Sequence, residues 1–223
     1  MVFLAGGDFL MGALSGDKFA DDTARPVHRV KVAAFELGKF PVTVGEYRCL
    51  IPNHAPGEPA DWPVVNVSCA DAEIFCAWLT ENSGRNFRLP TEAEWEFACR
   101  AGTQTPFACG HEITPRHANF FYAENGARIG AGRRTPVSSF SANAFGLHDL
   151  HGNVCEWCAD AWAPNYHGAS QGAAVPICDG KKLRVIRGGA WDYLPRLLRS
   201  AWRDALPSDT RRDNVGFRVA CNG

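Results

Sequence analysis

Nowhere does the chain's sequence of 223 residues hold the roughly 20 consecutive apolar side chains that a membrane-crossing helix needs. An excess of either charge is missing too. Lys and Arg number 23 against 24 Asp and Glu, a net charge of −1, so no basic field exists to attract nucleic acid or an anionic membrane face. The opening MVFLAGGDFLMG has neither the basic start nor the long apolar core of a signal peptide. These absences argue against a nucleic-acid partner and a membrane span, and predict a cytoplasmic protein. With no internal repeat, low-complexity tract or linker, residues 1–223 read as a single domain.

Paired metal-ligating residues are also scarce. Nine cysteines is an odd count, and most read as reduced, buried thiols rather than a disulfide frame. Cys155-Glu156-Trp157-Cys158 is formally a CxxC, but no second pair completes a zinc site. On a strand its two thiols would point to opposite faces. No two of the seven histidines stand four apart on a helical pattern, and His148 and His151, flanking Asp149, lack an evident third ligand.

What is present points to a mixed α+β fold with short strands, two main helices and much irregular loop. Phe9–Met11, His28–Val32 and Phe35–Phe40 read as strands. Thr43, Ser68 and Thr91 each stand three residues before an acidic side chain, the signature of a helix start. The two main helices follow Ser68 and Thr91. Residues 110–139 are polar and aperiodic, a length of loop that needs something to order it, and a bound cation is one candidate. Residues 166–182 form a further loop rich in Gly and Ala.

The chain is organised around its C-terminal segment, 184–223. Arg184–Arg187, Arg199–Arg203 and Gly216–Ala220 alternate as strands, and the connectors between them carry charge, aromatics and turn formers. Side chains on such connectors are where a rigid scaffold presents its function. Trp191, directly after Gly188-Gly189, is expected in the core. Tyr193, Arg196, Leu197, Trp202, Asp204 and Leu206 are expected at the surface. Tyr, Trp and Arg anchor interfaces, so this face favours a protein ligand over a carbohydrate.

The chain resembles, end to end, the formylglycine-generating-enzyme (sulfatase-modifying-factor) domain, a variant of the C-type lectin fold. The resemblance is carried by GGDFLMG at 6–12, PVT at 41–43, RLPTEAEWE at 88–96, FGL at 145–147 with GNVCEW at 152–157, RGGAW at 187–191 and GFR at 216–218. In the oxidases of this family two cysteines after the double glycine bind copper(I) as soft thiolates. The matching positions here are Tyr193 and Leu198, so the resemblance implies no copper site and leans away from an enzyme; an oxidase lacking that pair is the alternative. A sulfoxide-synthase branch draws its iron ligands from an additional helical bundle that this chain is too short to contain.

A third branch comprises the variable proteins of diversity-generating retroelements, which resemble this chain in the run RGGAW, Pro195, LRSAWR at 198–203, Arg211 and GFR. Their variation arises chiefly at asparagine codons and does not reach Lys, Glu, Gln or Met. Between the scaffold residues here stand Asp192, Tyr193, Leu194, Arg196, Leu197, Asp204, Ala205, Leu206, Ser208, Asp209, Thr210, Arg212, Asp213 and Asn214, none of an excluded type, and Trp202, inside the run LRSAWR, joins them for its expected exposure. These are the candidate ligand-binding residues. The resemblance also implies a structural calcium ion, held by the carboxylates of Asp149 and Glu156 and the carbonyls of Gly152 and Val154. The bland alternative makes Asp149 a turn cap and pairs Glu156 with Arg187 or Arg199.

Overall fold

The computed structural model describes residues 1–14, 16–168 and 183–222. Most of the loop expected over 166–182, with Cys178, lies outside the described residues.

Strand β1 (Val2–Leu4) is followed by β2 (Gly7–Met11), β3 (His28–Val32) and β4 (Phe35–Leu37). β2 and β3 form a two-stranded antiparallel sheet, with Phe9 opposite Val30. A short helix α1 (Val44–Tyr47) leads by a loop to α2 (Cys69–Ser83), β5 (Phe87–Arg88) and α3 (Glu92–Arg100). Each of α1, α2 and α3 starts as the caps predict. Thr43, Ser68 and Thr91 each accept from the third helical N–H, and Glu46, Asp71 and Glu94 answer their backbone N–H groups. A left-handed residue ends each longer helix, Gly84 after α2 and Ala101 after α3.

After the long loop come β6 (Cys155–Ala161), β7 (Leu183–Arg187), a 3-10 turn (Pro195–Leu198), β8 (Arg203–Pro207), β9 (Val215–Gly216) and β10 (Ala220–Cys221). One sheet has the order β8-β7-β6-β9, and another the order β1-β4-β10-β5. The last strand thus lies between two N-terminal ones, which ties the ends of the described fold together. β6 is buried on both faces. Cys155 and Trp157 join a core with α2, Ile186 and Phe217, whereas Cys158 joins a second core with Trp95 of α3 and Val185. The two thiols do point to opposite sides of the strand.

Two strand boundaries differ from the alternation in the sequence. Arg199–Trp202 is a turn, and the strand begins at Arg203. Backbone groups here bond outside any ladder: Ser200 N–H donates to the Pro106 carbonyl at 2.8 Å, and Trp202 N–H to the Arg199 carbonyl at 3.0 Å. Gly216–Ala220 is not one strand but a crossing between sheets. Val215 and Gly216 pair in parallel with β6, and Ala220 pairs with β4 and β5.

The aperiodic loop 110–139 is held by side chains. Arg134 donates to the Pro63 carbonyl at 2.7 Å and to both Glu58 oxygens at 2.8 Å. The Asn153 amide accepts from Asn119 at 3.1 Å and from Thr135 N–H at 3.0 Å. Ser138 N–H donates to the Asp149 carboxylate at 2.9 Å.

Candidate functional site

The C-terminal segment is fixed from beneath by α3. Glu92 accepts from Arg187 at 3.0 Å, from Arg203 at 2.7 and 2.8 Å, and from the Tyr166 hydroxyl at 3.2 Å. One turn later Glu96 pairs with Arg187 and accepts from Arg100 at 2.9 Å and Gly12 N–H at 2.9 Å. Burial opposes the charge of Glu96, but Arg100 and Arg187 win, and its carboxyl is held below its ordinary range. The recurring glutamates of TEAEWE therefore receive the arginines at both ends of the first connector.

Between those arginines the chain must turn tightly. Gly189 adopts φ +68°, where a Cβ would sit 2.6 Å from the Leu197 carbonyl oxygen. Only glycine fits that approach. The connector then folds back, with Trp191 N–H on the Asn153 carbonyl and Tyr193 N–H on the Ala190 carbonyl, each at 3.0 Å.

Positions 193 and 198 both face inward. Tyr193 stands edge-on to Trp202, ring centroids 5.6 Å apart, and its hydroxyl reaches the Cys155 thiol. Burial first, and the Cys155 thiol second, push this phenol up. Leu198 is fully buried among Phe107, Ile113, Ala118 and Phe120. Its carbonyl accepts from His151 Nδ1 at 2.7 Å, while His151 Nε2 accepts from Ala108 N–H at 3.0 Å. That pairing assigns the proton to Nδ1, and burial lowers the ring's pKa to about 4.

Cys99 and Ser200 complete what looks like a nucleophile cluster, with the Cys99 sulfur 3.7 Å from His151 Nε2 and 3.6 Å from the Ser200 hydroxyl. It is disarmed. Both ring nitrogens are committed to the backbone, and burial pushes the thiol up to about 12.

The candidate ligand-binding residues divide in two. Trp202 and Leu206 are each 6% exposed and belong to the core with Trp157 and Phe217, contrary to the surface position expected of them. Their side of the alternation faces β6 and α2. Asn214 is buried as well and donates to both oxygens of Asp192 at 3.0 Å. Asp204, Asp209, Arg212 and Asp213 are exposed, and Asp192, Tyr193, Leu194, Arg196, Leu197, Ala205, Ser208 and Thr210 are half-buried. Trp191, expected in the core, is half-buried too, although its indole N–H is enclosed without a partner.

The arginines do not pair with the connector aspartates. Arg196 binds Glu124 at 2.6 Å, Arg199 binds Asp17, and Arg211 binds Asp71 at 2.7 Å. Among the described residues, Asp204, Asp209 and Asp213 form no salt bridge, nor does the exposed Arg212, so these four leave the outer side of the connectors net negative beside the half-buried Leu194 and Leu197. The 3-10 turn also walls a pocket of about 460 Å³ whose other sides, 16–19 and 106–129, carry no motif that sequence reading could have found.

Of the four groups expected to hold calcium, the Glu156 carboxylate is engaged by protein donors. Both oxygens of Glu156 are held by Arg218 at 2.6 and 2.7 Å, and Trp95 Nε1 adds a third bond at 2.8 Å. Arg218 also reaches the Gly38 and His148 carbonyls, at 3.0 and 2.9 Å, and thus supplies the positive charge at this point. The Glu156 partner is thus neither Arg187 nor Arg199. Asp149 caps Ser138 N–H, with its carboxyl pushed up by burial.

The profile of the sulfatase-modifying factor enzyme 1-like domain matches residues 1–223. A Chlamydia caviae protein described as serine/threonine-protein kinase pkn1 is 34% identical over 99% of this chain, which spans only 37% of that relative's length. A formylglycine-generating enzyme of Thermomonospora curvata is 28% identical, with 100% of this chain and 93% of the relative covered. Among solved structures, PvdO from Pseudomonas aeruginosa superposes with a TM-score of 0.88 at 32% identity, covering 99% of this chain and 93% of its own. Treponema denticola variable protein 1 superposes at 0.84 and 24% identity, covering 100% and 95%, a likeness of fold. The chain belongs to the sulfatase-modifying factor enzyme 1-like domain family.

Proposed function

We propose that this domain is a non-catalytic ligand-binding module. Its binding face is the outer side of the two C-terminal connectors, and it works in the manner of the variable proteins of diversity-generating retroelements. The observation that carries the reading is the filling of positions 193 and 198 by a phenol and an isobutyl group that pack inward. Neither can replace a pair of soft thiolates on copper(I). The nearest buried thiol, Cys155, is held protonated at neutral pH by burial.

Family membership is compatible with binding as well as catalysis. A mouse relative, 28% identical over 99% of this chain, is itself described as an inactive C-alpha-formylglycine-generating enzyme 2. The outer side of the connectors offers the exposed Asp204, Asp209, Asp213 and Arg212 beside the half-buried Leu194 and Leu197. That composition favours a protein ligand with basic and apolar side chains over a carbohydrate.

The test is oxygen consumption by the purified domain with copper and a cysteine-containing peptide, with the peptide analysed by mass spectrometry for an aldehyde. The expected result is uptake equal to the protein-free control and unchanged peptide. Aldehyde formation that disappears in Tyr193→Phe would overturn the reading.

A further inference from the structure

Behind the 3-10 turn, the pocket of about 460 Å³ lies between three stretches far apart in sequence: 16–19, 106–129 and 195–199. Its size falls within the roughly 300–1,000 Å³ of small-molecule sites. Phe107, Ile113 and Phe120 line it from the buried side. Phe19 at 46% and Ile129 at 44% exposure also line it, two large apolar side chains left in water on separate loops. Single exposed apolar residues need no explanation, but two facing one apolar pocket do.

The charges in the wall narrow the ligand class. Arg199 and Asp17 pair with each other, their side chains 4% and 5% exposed. Arg196 is engaged by Glu124 through both its backbone N–H and its guanidinium, each at 2.6 Å. Lys18 and Glu112 add one charge of each sign, so the lining carries three cations (Lys18, Arg196, Arg199) against three anions (Asp17, Glu112, Glu124) and presents no net charge to a ligand. A ligand that displaced the buried Asp17–Arg199 pair would strand a desolvated partner. An uncharged ligand leaves them intact.

We propose that this pocket binds a small, uncharged, mainly apolar molecule with a flat aromatic or branched group, clasped between Phe19 and Ile129 over Phe107, Ile113 and Phe120. The pocket shares only its edge, at Pro195 and Arg196, with the connector face. The proposal therefore stands whether or not that face binds a protein.

The test is an NMR titration of the full chain, labelled at isoleucine methyls, with indole as probe and indole-3-acetate and tryptamine as its charged counterparts. Indole is expected to shift Ile113 and Ile129 saturably. The charged analogues should bind about tenfold more weakly, and Phe19→Ser with Ile129→Ser should weaken indole by about tenfold or more. Both substituted residues are solvent-exposed, and Phe3→Ser with Ile74→Ser, exposed apolar positions elsewhere, should leave indole binding unchanged. Asp204→Lys, on the connector face, should also leave it unchanged, which separates failure here from failure of the binding-face reading. The proposal is overturned if indole gives no saturable shift at Ile113 and Ile129, if the Phe19/Ile129 variant binds as the parent does, or if a charged analogue binds as tightly as indole.

Discussion

Arg203 lays its guanidinium along both carboxylate oxygens of Glu92, at 2.7 and 2.8 Å, while its flat face rests 4.3 Å from the Tyr166 ring centroid and 4.4 Å from that of Trp162. Arg187 meets the same carboxylate from the other end of the connector. The segment carrying the proposed binding face is therefore fastened at its roots by α3. Removing one partner strands a buried charge. Arg203→Ala is expected to cost about 3–5 kcal/mol of unfolding free energy. Arg211→Ala, whose pair with Asp71 lies at the surface, should cost no more than about 1 kcal/mol. Urea denaturation of the two variants checks the contrast, and equal losses would contradict it.

The division of the connectors into inner and outer side chains makes a second prediction. Trp202→Ala should cost about 3–5 kcal/mol through the cavity it leaves against Trp157, Tyr193 and Phe217. Asp204→Ala, Asp209→Ala and Asp213→Ala should each stay within about 0.5 kcal/mol of the parent. Thermal unfolding of the four proteins distinguishes the two sides.

His151 gives the stability a pH dependence of known sign. Unfolded, the ring takes up a proton near 6.5; folded, only near about 4. Between those values the unfolded chain binds the additional proton, so stability falls as the pH falls, by about 3 kcal/mol in full. Asp149, with its carboxyl raised, acts in the opposite sense, so the comparison must be made against a variant. His151→Asn should be less stable at neutral pH, yet flatter between pH 6.5 and 4 by roughly one proton. An unchanged slope would show that another group titrates.

The parts of the fold readable in the sequence were those with local chemistry. Thr43, Ser68 and Thr91 announced their helices because a cap is a contact over three residues. Cys155 and Cys158 were correctly placed on opposite faces of a strand, since period two requires it. Signals that depend on distant partners were not readable. Arg199–Trp202 alternates like a strand, yet Asp17, Pro106 and Arg187 take its side chains and backbone into a turn. Trp202 and Leu206 resemble interface anchors in composition, and only the packing of β6 and α2 places them in the core. Glu156 was rightly given an arginine as one possible partner, but Arg218 comes from a chain crossing between two sheets. The pocket bounded by Phe19 and Ile129 had no local signal at all.

The central claim is that the outer connector side chains carry binding while the inner ones carry the fold. A library randomised at 192, 194, 196–197, 204–205, 208–210 and 212–213, with Arg187, Tyr193, Leu198, Trp202, Arg203, Leu206 and Asn214 kept, tests it directly. The account predicts that most clones fold with melting temperatures within about 5 °C of the parent, and that selection against an unrelated immobilised protein such as lysozyme yields binders whose affinity is lost when the parent connectors are restored. Clones that mostly unfold, or a folded library that yields no binder, would contradict it.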